Sequence, residues 1–117
     1  MKLGRVFHFD AAHHLMDARQ KQCEELHGHT YRVEVVVDGP VQDNGMVMDF
    51  ADLKKLAKEV LAELDHKDLN KKFDNPTAEH ICRWIYNQLQ SGLEPFDTVS
   101  LVSVRLWEGE GKWVEAA

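Results

Sequence analysis

The chain has 117 residues, 44% of them hydrophobic and 29% charged, with a formal charge of −6, a size and balance that fit one globular domain with a modest core. No Lys/Arg-rich face stands out, which argues against a nucleic-acid partner while leaving room for a small anionic substrate held by a few local cations. Two cysteines in unlike surroundings, Cys23 and Cys82, make no disulfide framework and suit a reducing cytosol; with no apolar run long enough for a signal-peptide core or a bilayer span, the protein is expected in the cytoplasm and off the membrane.

Residues 2–14 alternate loosely and carry Val6, Phe7 and Phe9, which predicts a strand. Residues 15–26 are polar and read as a long connection. Residues 30–38, Thr-Tyr-Arg-Val-Glu-Val-Val-Val-Asp, form the clearest strand, rich in β-branched side chains. Gly39-Pro40 ends it, and Asp43-Asn44-Gly45 signals a turn. Asp49 then caps a helix predicted over residues 50–64, with Phe50, Leu53, Ala57, Val60, Leu61 and Leu64 at helical spacing. A second helix is expected from Asn75 as N-cap and Pro76 at the first helical position, with Ile81, Trp84, Ile85 and Leu89 as its buried stripe. Residues 98–108 read as a third strand and 112–116 as a fourth. No linker, repeat or low-complexity stretch interrupts residues 1–117, so one domain is expected. The order ββααββ predicts an α+β fold: an antiparallel four-stranded sheet with two helices on one face, the other face wet or covered by another subunit.

The chemistry-bearing stretch is Cys23-Glu24-Glu25-Leu26-His27-Gly28-His29. On a strand, residues two apart point to one side, so His27 and His29 aim together with only Gly28 between them. A third imidazole from a neighbouring strand would complete an open zinc site. His13 in Phe9-Asp10-Ala11-Ala12-His13-His14 is the candidate, and His14 should point the other way. Any one of these histidines alone is more readily an ordinary polar strand residue; together they point to metal, and three imidazoles suit Zn²⁺. Cys23 lies among charged residues, unlike Cys82, which sits beside Ile81 and reads as core. Spacing alone leaves Cys23 as either a fourth ligand or a thiolate activated beside an open site.

Leu64-Asp65-His66-Lys67-Asp68-Leu69-Asn70 offers a carboxylate next to an imidazole, which reads either as a histidine favoured by the dipole at a helix C-terminus or as a proton-transfer pair. Adjacent residues do not face each other on a helix, so a direct Asp65–His66 contact requires a non-helical backbone there. Glu108 follows Val102, Val104 and Leu106 inward, where a carboxylate needs a partner; the guanidine-like edge of a heterocycle would be one. Thr77 stands near the backbone N–H groups that open the second helix and serves either as a cap or as a binding group, and Glu79 reads as a cap. Arg19 and Lys21 read as solvated, with an anionic substrate as the other reading.

With these residues in place, the chain resembles the 6-pyruvoyl-tetrahydropterin synthase family, most of all its bacterial branch, the 6-carboxytetrahydropterin synthases of queuosine biosynthesis. The resemblance runs from Phe9-Asp10-Ala11-Ala12-His13 through Leu64-Asp65-His66 and Pro76-Thr77-Ala78-Glu79 to Glu108. It implies His13, His27 and His29 as zinc ligands, Cys23, Asp65 and His66 as the catalytic proton-transfer set, and Glu108, assisted by Thr77, as the anchor of a pterin. The implied fold is the tunnelling fold, with trimers closing a barrel, two trimers stacking into a homohexamer, and active sites between subunits. The implied reaction takes 7,8-dihydroneopterin triphosphate to 6-carboxy-5,6,7,8-tetrahydropterin, acetaldehyde and triphosphate. The three residues between Cys23 and His27 match the carboxy-forming branch. His14 departs from the arginine of many relatives, so that arginine's phosphate contacts are not carried over. The alternatives are the pyruvoyl-forming sister reaction, and a non-catalytic module in which Cys23 closes a structural zinc site.

Overall fold

The computed structural model describes residues 1–15 and 27–117, with His27 described by its backbone alone. Its elements are β1 (Lys2–His13), β2 (His27–Asp38), α1 (Phe50–Leu61), α2 (Ala78–Gly92), β3 (Ser100–Glu108) and β4 (Trp113–Ala116), with a 3₁₀ turn at Leu69–Lys71. The strands form one antiparallel sheet in the order β1-β2-β3-β4, so the ββααββ order, the antiparallel sheet and the two helices are as expected. Alternation sorts the side chains: Phe7, Phe9, Tyr31, Val33, Val35, Val37, Val104 and Leu106 are buried. They form one core with Leu53, Ala57, Val60 and Leu61 of α1 and Ile81, Ile85 and Leu89 of α2, each large side chain worth about 1.5–3 kcal/mol of burial. Gly92 ends α2 where it crosses α1: a Cβ there would collide with the Leu56 side chain. Among the described residues, no helix is long and apolar enough to cross a membrane.

Four sequence expectations need correction, the first being the end of α1, which stops at Leu61 rather than Leu64. Helix α2 is capped by Thr77, whose hydroxyl accepts the His80 N–H at 3.2 Å, so the helix opens at Ala78 rather than at Pro76. Asn75 and Pro76 stay outside because their carbonyls are used elsewhere, by the Thr77 N–H and the His80 ring for Asn75 and by the His13 ring for Pro76. Phe50, at the first position of α1, is 54% exposed; the buried stripe begins at Leu53. On β3, Val36 pairs with Ser103 and Val37 with Leu101, so Val102 is the extra residue of a bulge and the inward alternation starts at Val104.

Candidate active site

The β1–β2 register sets Ala11 opposite His29, Phe9 opposite Tyr31 and His13 opposite His27, and β3 brings Glu108 opposite Tyr31. Alternation therefore sends the side chains of His13, His29, Tyr31 and Glu108 to the helix-covered face at one end of the sheet. The strand ends are pinned there: Glu108 N donates to Lys112 O at 3.0 Å and Gly109 N to Thr30 O at 3.3 Å, across a hairpin whose Gly109 and Gly111 have φ of 70° and 77°, values that favour glycine.

His13 is fully buried. Its Nδ1 lies 2.8 Å from the Pro76 carbonyl and 3.3 Å from the Tyr31 hydroxyl. A carbonyl only accepts, so Nδ1 carries the proton and Nε2 keeps its lone pair, the tautomer a metal ligand needs. Nε2 of His29 is 3.2 Å and Nε2 of His13 3.9 Å from Glu108 Oε1. The two imidazoles stand nearly perpendicular, 5.0 Å apart. The three donor atoms all lie within 4.8 Å of one another. Ligands about 2.0–2.1 Å from a tetrahedral zinc sit roughly 3.3 Å apart; the imidazole nitrogens suit that ion, and His29 Nε2 and Glu108 Oε1 have about this spacing, while His13 Nε2 stands farther from Glu108. Burial, and then the Glu108 carboxylate, push the Tyr31 phenol well above its usual range, keeping it neutral.

The second group forms where α1 gives way to a turn. His66 is non-helical, with φ of 58°, a left-handed conformation that costs a non-glycine residue about 1–3 kcal/mol. Strand β1 holds it there: His66 N donates to Asp10 O at 2.6 Å, and Asp10 N donates to Asp65 Oδ1 at 3.0 Å. In that geometry the adjacent side chains meet, His66 Nδ1 lying 3.0 Å from Asp65 Oδ1. The Asp10 amide, and then the neighbouring imidazole, hold the Asp65 carboxyl below its ordinary range. The His66 side chain is 79% exposed and lines a cleft of about 530 Å³ together with Asp10, Ala12, Gly28, His29 and Thr30.

The chain thus brings His13, His29 and Glu108 together on the covered face, and Asp65 and His66 together at the outer edge of β1. Among the described residues these remain two clusters. Thr77 spends its hydroxyl on the helix cap. Cys23, Arg19 and Lys21 lie outside the described residues, and for His27 only the pairing with His13 is described. Cys82 is core, as expected: its buried thiol lies 3.3 Å from the Val104 carbonyl, and burial raises its pKa. Three contributors escaped the sequence reading. Tyr31 was within reach, since it lies two residues after His29 and shares its face. Pro76 and Asp10 contribute main-chain groups, which no residue type announces.

A family model described as 6-pyruvoyl tetrahydropterin synthase matches residues 2–117. The chain is 36% identical over 134 aligned positions to the 6-carboxy-5,6,7,8-tetrahydropterin synthase of Haemophilus influenzae, covering 92% of each. It is 49% identical over 107 residues to the dihydroneopterin monophosphate aldolase of Pyrococcus furiosus, covering 92% of this chain and 89% of that one. The structure of Caenorhabditis elegans 6-pyruvoyl tetrahydropterin synthase superimposes with a TM-score of 0.85 at 30% identity, covering 99% of this chain and 94% of the other, so the tunnelling fold expected from the sequence is the fold observed.

Proposed function

We propose, from the premise that this chain belongs to the 6-pyruvoyl tetrahydropterin synthase family, that it is a zinc-dependent carbon–carbon lyase. Its substrate would be 7,8-dihydroneopterin triphosphate, and its products 6-carboxy-5,6,7,8-tetrahydropterin, acetaldehyde and triphosphate, on the route to queuosine. The convergence of His13 Nε2, His29 Nε2 and Glu108 Oε1 carries the reading.

His13 and His29, with His27, would hold the zinc, which when bound supplies Lewis acidity toward the side-chain oxygens of the substrate. Glu108 would pair with the guanidine-like edge of the pterin and hold it in register beside the histidines, with Thr77 assisting through the hydroxyl hydrogen that its capping role leaves over. Asp65 fixes the proton of His66 on Nδ1, which leaves Nε2 to take up and return protons as bonds in the side chain rearrange. Cys23, as a thiolate, is the second proton-transfer group. Asp65 and His66 form a group of their own beside the cleft that His29 also lines, and a neighbouring subunit of a homohexamer would complete each site, residues 1–117 forming the repeating domain.

Zinc content measured together with products from dihydroneopterin triphosphate tests this. About one zinc per chain, with acetaldehyde and triphosphate released in equal amounts, is expected. A pyruvoyl product without acetaldehyde would move the assignment to the sister reaction. Cys23→Ala should keep zinc and lose turnover; loss of zinc and of the fold would instead make Cys23 a structural ligand.

A second reading has its own support in the 49% identity to the dihydroneopterin monophosphate aldolase. Such an enzyme breaks a side-chain carbon–carbon bond while the phosphate ester stays intact. The ring of His14, where many relatives carry arginine, is turned onto Asn70 and offers no guanidinium to a triphosphate. Cleavage of dihydroneopterin monophosphate with no free phosphate or triphosphate released would favour it.

A further inference from the structure

Strand β1 is an edge strand, and the main-chain groups along its outer edge are bonded at every second residue to the segment carrying Asp65 and His66. Asp10 donates to Asp65 Oδ1 and accepts from His66 N. Two residues on, Ala12 N donates to Lys67 O at 3.0 Å, with a parallel bridge from Ala12 to Asp68. Two further on the β1–β2 ladder has ended, its last pair being His13 with His27, and a side chain takes over. Asn70 Oδ1 accepts the His14 N–H at 2.8 Å, and Asn70 Nδ2 donates to the His14 carbonyl at 3.0 Å. The same nitrogen lies 3.2 Å from His14 Nε2, so its two hydrogens serve the carbonyl and the ring. Asn70 is itself fixed: its N–H donates to Asp68 Oδ1 at 3.0 Å, and its neighbour Leu69 is fully buried.

We infer that Asn70 is a positioning residue for His13, its side-chain amide acting as the last rung of an edge ladder that fastens the residues on both sides of that histidine. Ala12 and His14 are both tied to the 66–70 segment, so the backbone of His13 is held between two anchors. Its ring can then keep Nδ1 on the Pro76 carbonyl and Nε2 on the His29–Glu108 side. One short segment in this way presents His66 at one end and fixes a metal-binding strand at the other. The inference rests on the reading of His13 as a metal ligand, and the ring of His14 contributes an acceptor that an arginine would not.

The test is Asn70→Ala in the full chain, read in two ways. With Co²⁺ in place of zinc, affinity should fall by about tenfold, the low end of what losing a ligand's support costs, and the visible absorption of the bound ion should shift. In the metal-free protein, the Nδ1–H proton signal of His13 should broaden by exchange with water. Asn70→Asp keeps the acceptor for the His14 N–H but loses both donor hydrogens, and should move both readouts in the same direction with less loss of stability. A lower melting temperature with unchanged Co²⁺ affinity, absorption and His13 proton signal would reduce Asn70 to a structural residue and overturn the inference. If the unaltered chain bound no Co²⁺, the zinc reading would fall, and the proton signal would still decide the role of Asn70.

Discussion

The two histidine clusters are built on opposite principles. His13 is fully buried at the last rung of the β1–β2 ladder, its ring orientation set by a main-chain carbonyl. His66 is mostly exposed, in a left-handed backbone conformation, and meets its carboxylate partner only because the strand edge holds it there. The first cluster draws rigidity from the core and doubles as structure. The second stores strain at the surface, which is acceptable where a group must reach a reacting molecule or another subunit. Mutations should separate the two through the sign of their effect on stability.

The largest effect is expected from His13→Ala. It removes a buried ring and leaves the Pro76 carbonyl without its donor, costing about 2–4 kcal/mol and abolishing zinc binding and turnover; calorimetry and metal analysis check both. His66→Gly sharpens the contrast. Turnover should fall by about 10²–10⁴-fold with zinc retained, while stability stays level or rises by up to about 1 kcal/mol, since glycine adopts that φ without strain. A stability loss as large as that of His13→Ala would erase the distinction. Tyr31→Phe removes only the hydroxyl 3.3 Å from His13 Nδ1, and zinc titration should show a drop of about tenfold with the fold intact. The smallest effect concerns pH. The folded state holds the Asp65 carboxyl below its ordinary range, so its stabilisation is present above about pH 4 and disappears as pH falls through the folded value. Urea unfolding at pH 5 and pH 3 should show a steeper acid loss for the native chain than for Asp65→Asn; parallel losses would mean that the carboxylate is not engaged.

Much of the covered cluster was legible because strand alternation is strict. Once residues 30–38 read as a strand, its extension back through His29 and pairing with the strand ending at His13 set His13 and His29 on one face, and Glu108 followed Val104 and Leu106 to the same end. The Asp65–His66 contact was legible as a condition, a non-helical backbone, whose cause lay in the main chain of Asp10. The start of α2 was misread because Asn-Pro is a strong helix-opening signal locally, while tertiary demands on the carbonyls of Asn75 and Pro76 override it. Phe50 carried the right spacing for burial, but it lies exposed along a surface cleft that it lines with Leu3 and Val41. Nothing in its residue type marks Asn70, because its role lies in what it does for the main chain of His14.

In the proposed hexamer the buried histidine cluster of one subunit works with the Asp65–His66 pair of another. Mixing His13→Ala and His66→Ala subunits after dissociation and reassembly tests it directly, with mass spectrometry to confirm mixed oligomers. Each variant alone should be inactive, and the mixed oligomers should regain measurable turnover, because some sites would combine an intact histidine cluster with an intact Asp65–His66 pair. Mixed oligomers as inactive as their parents would place the whole site within one chain and rule out a shared site.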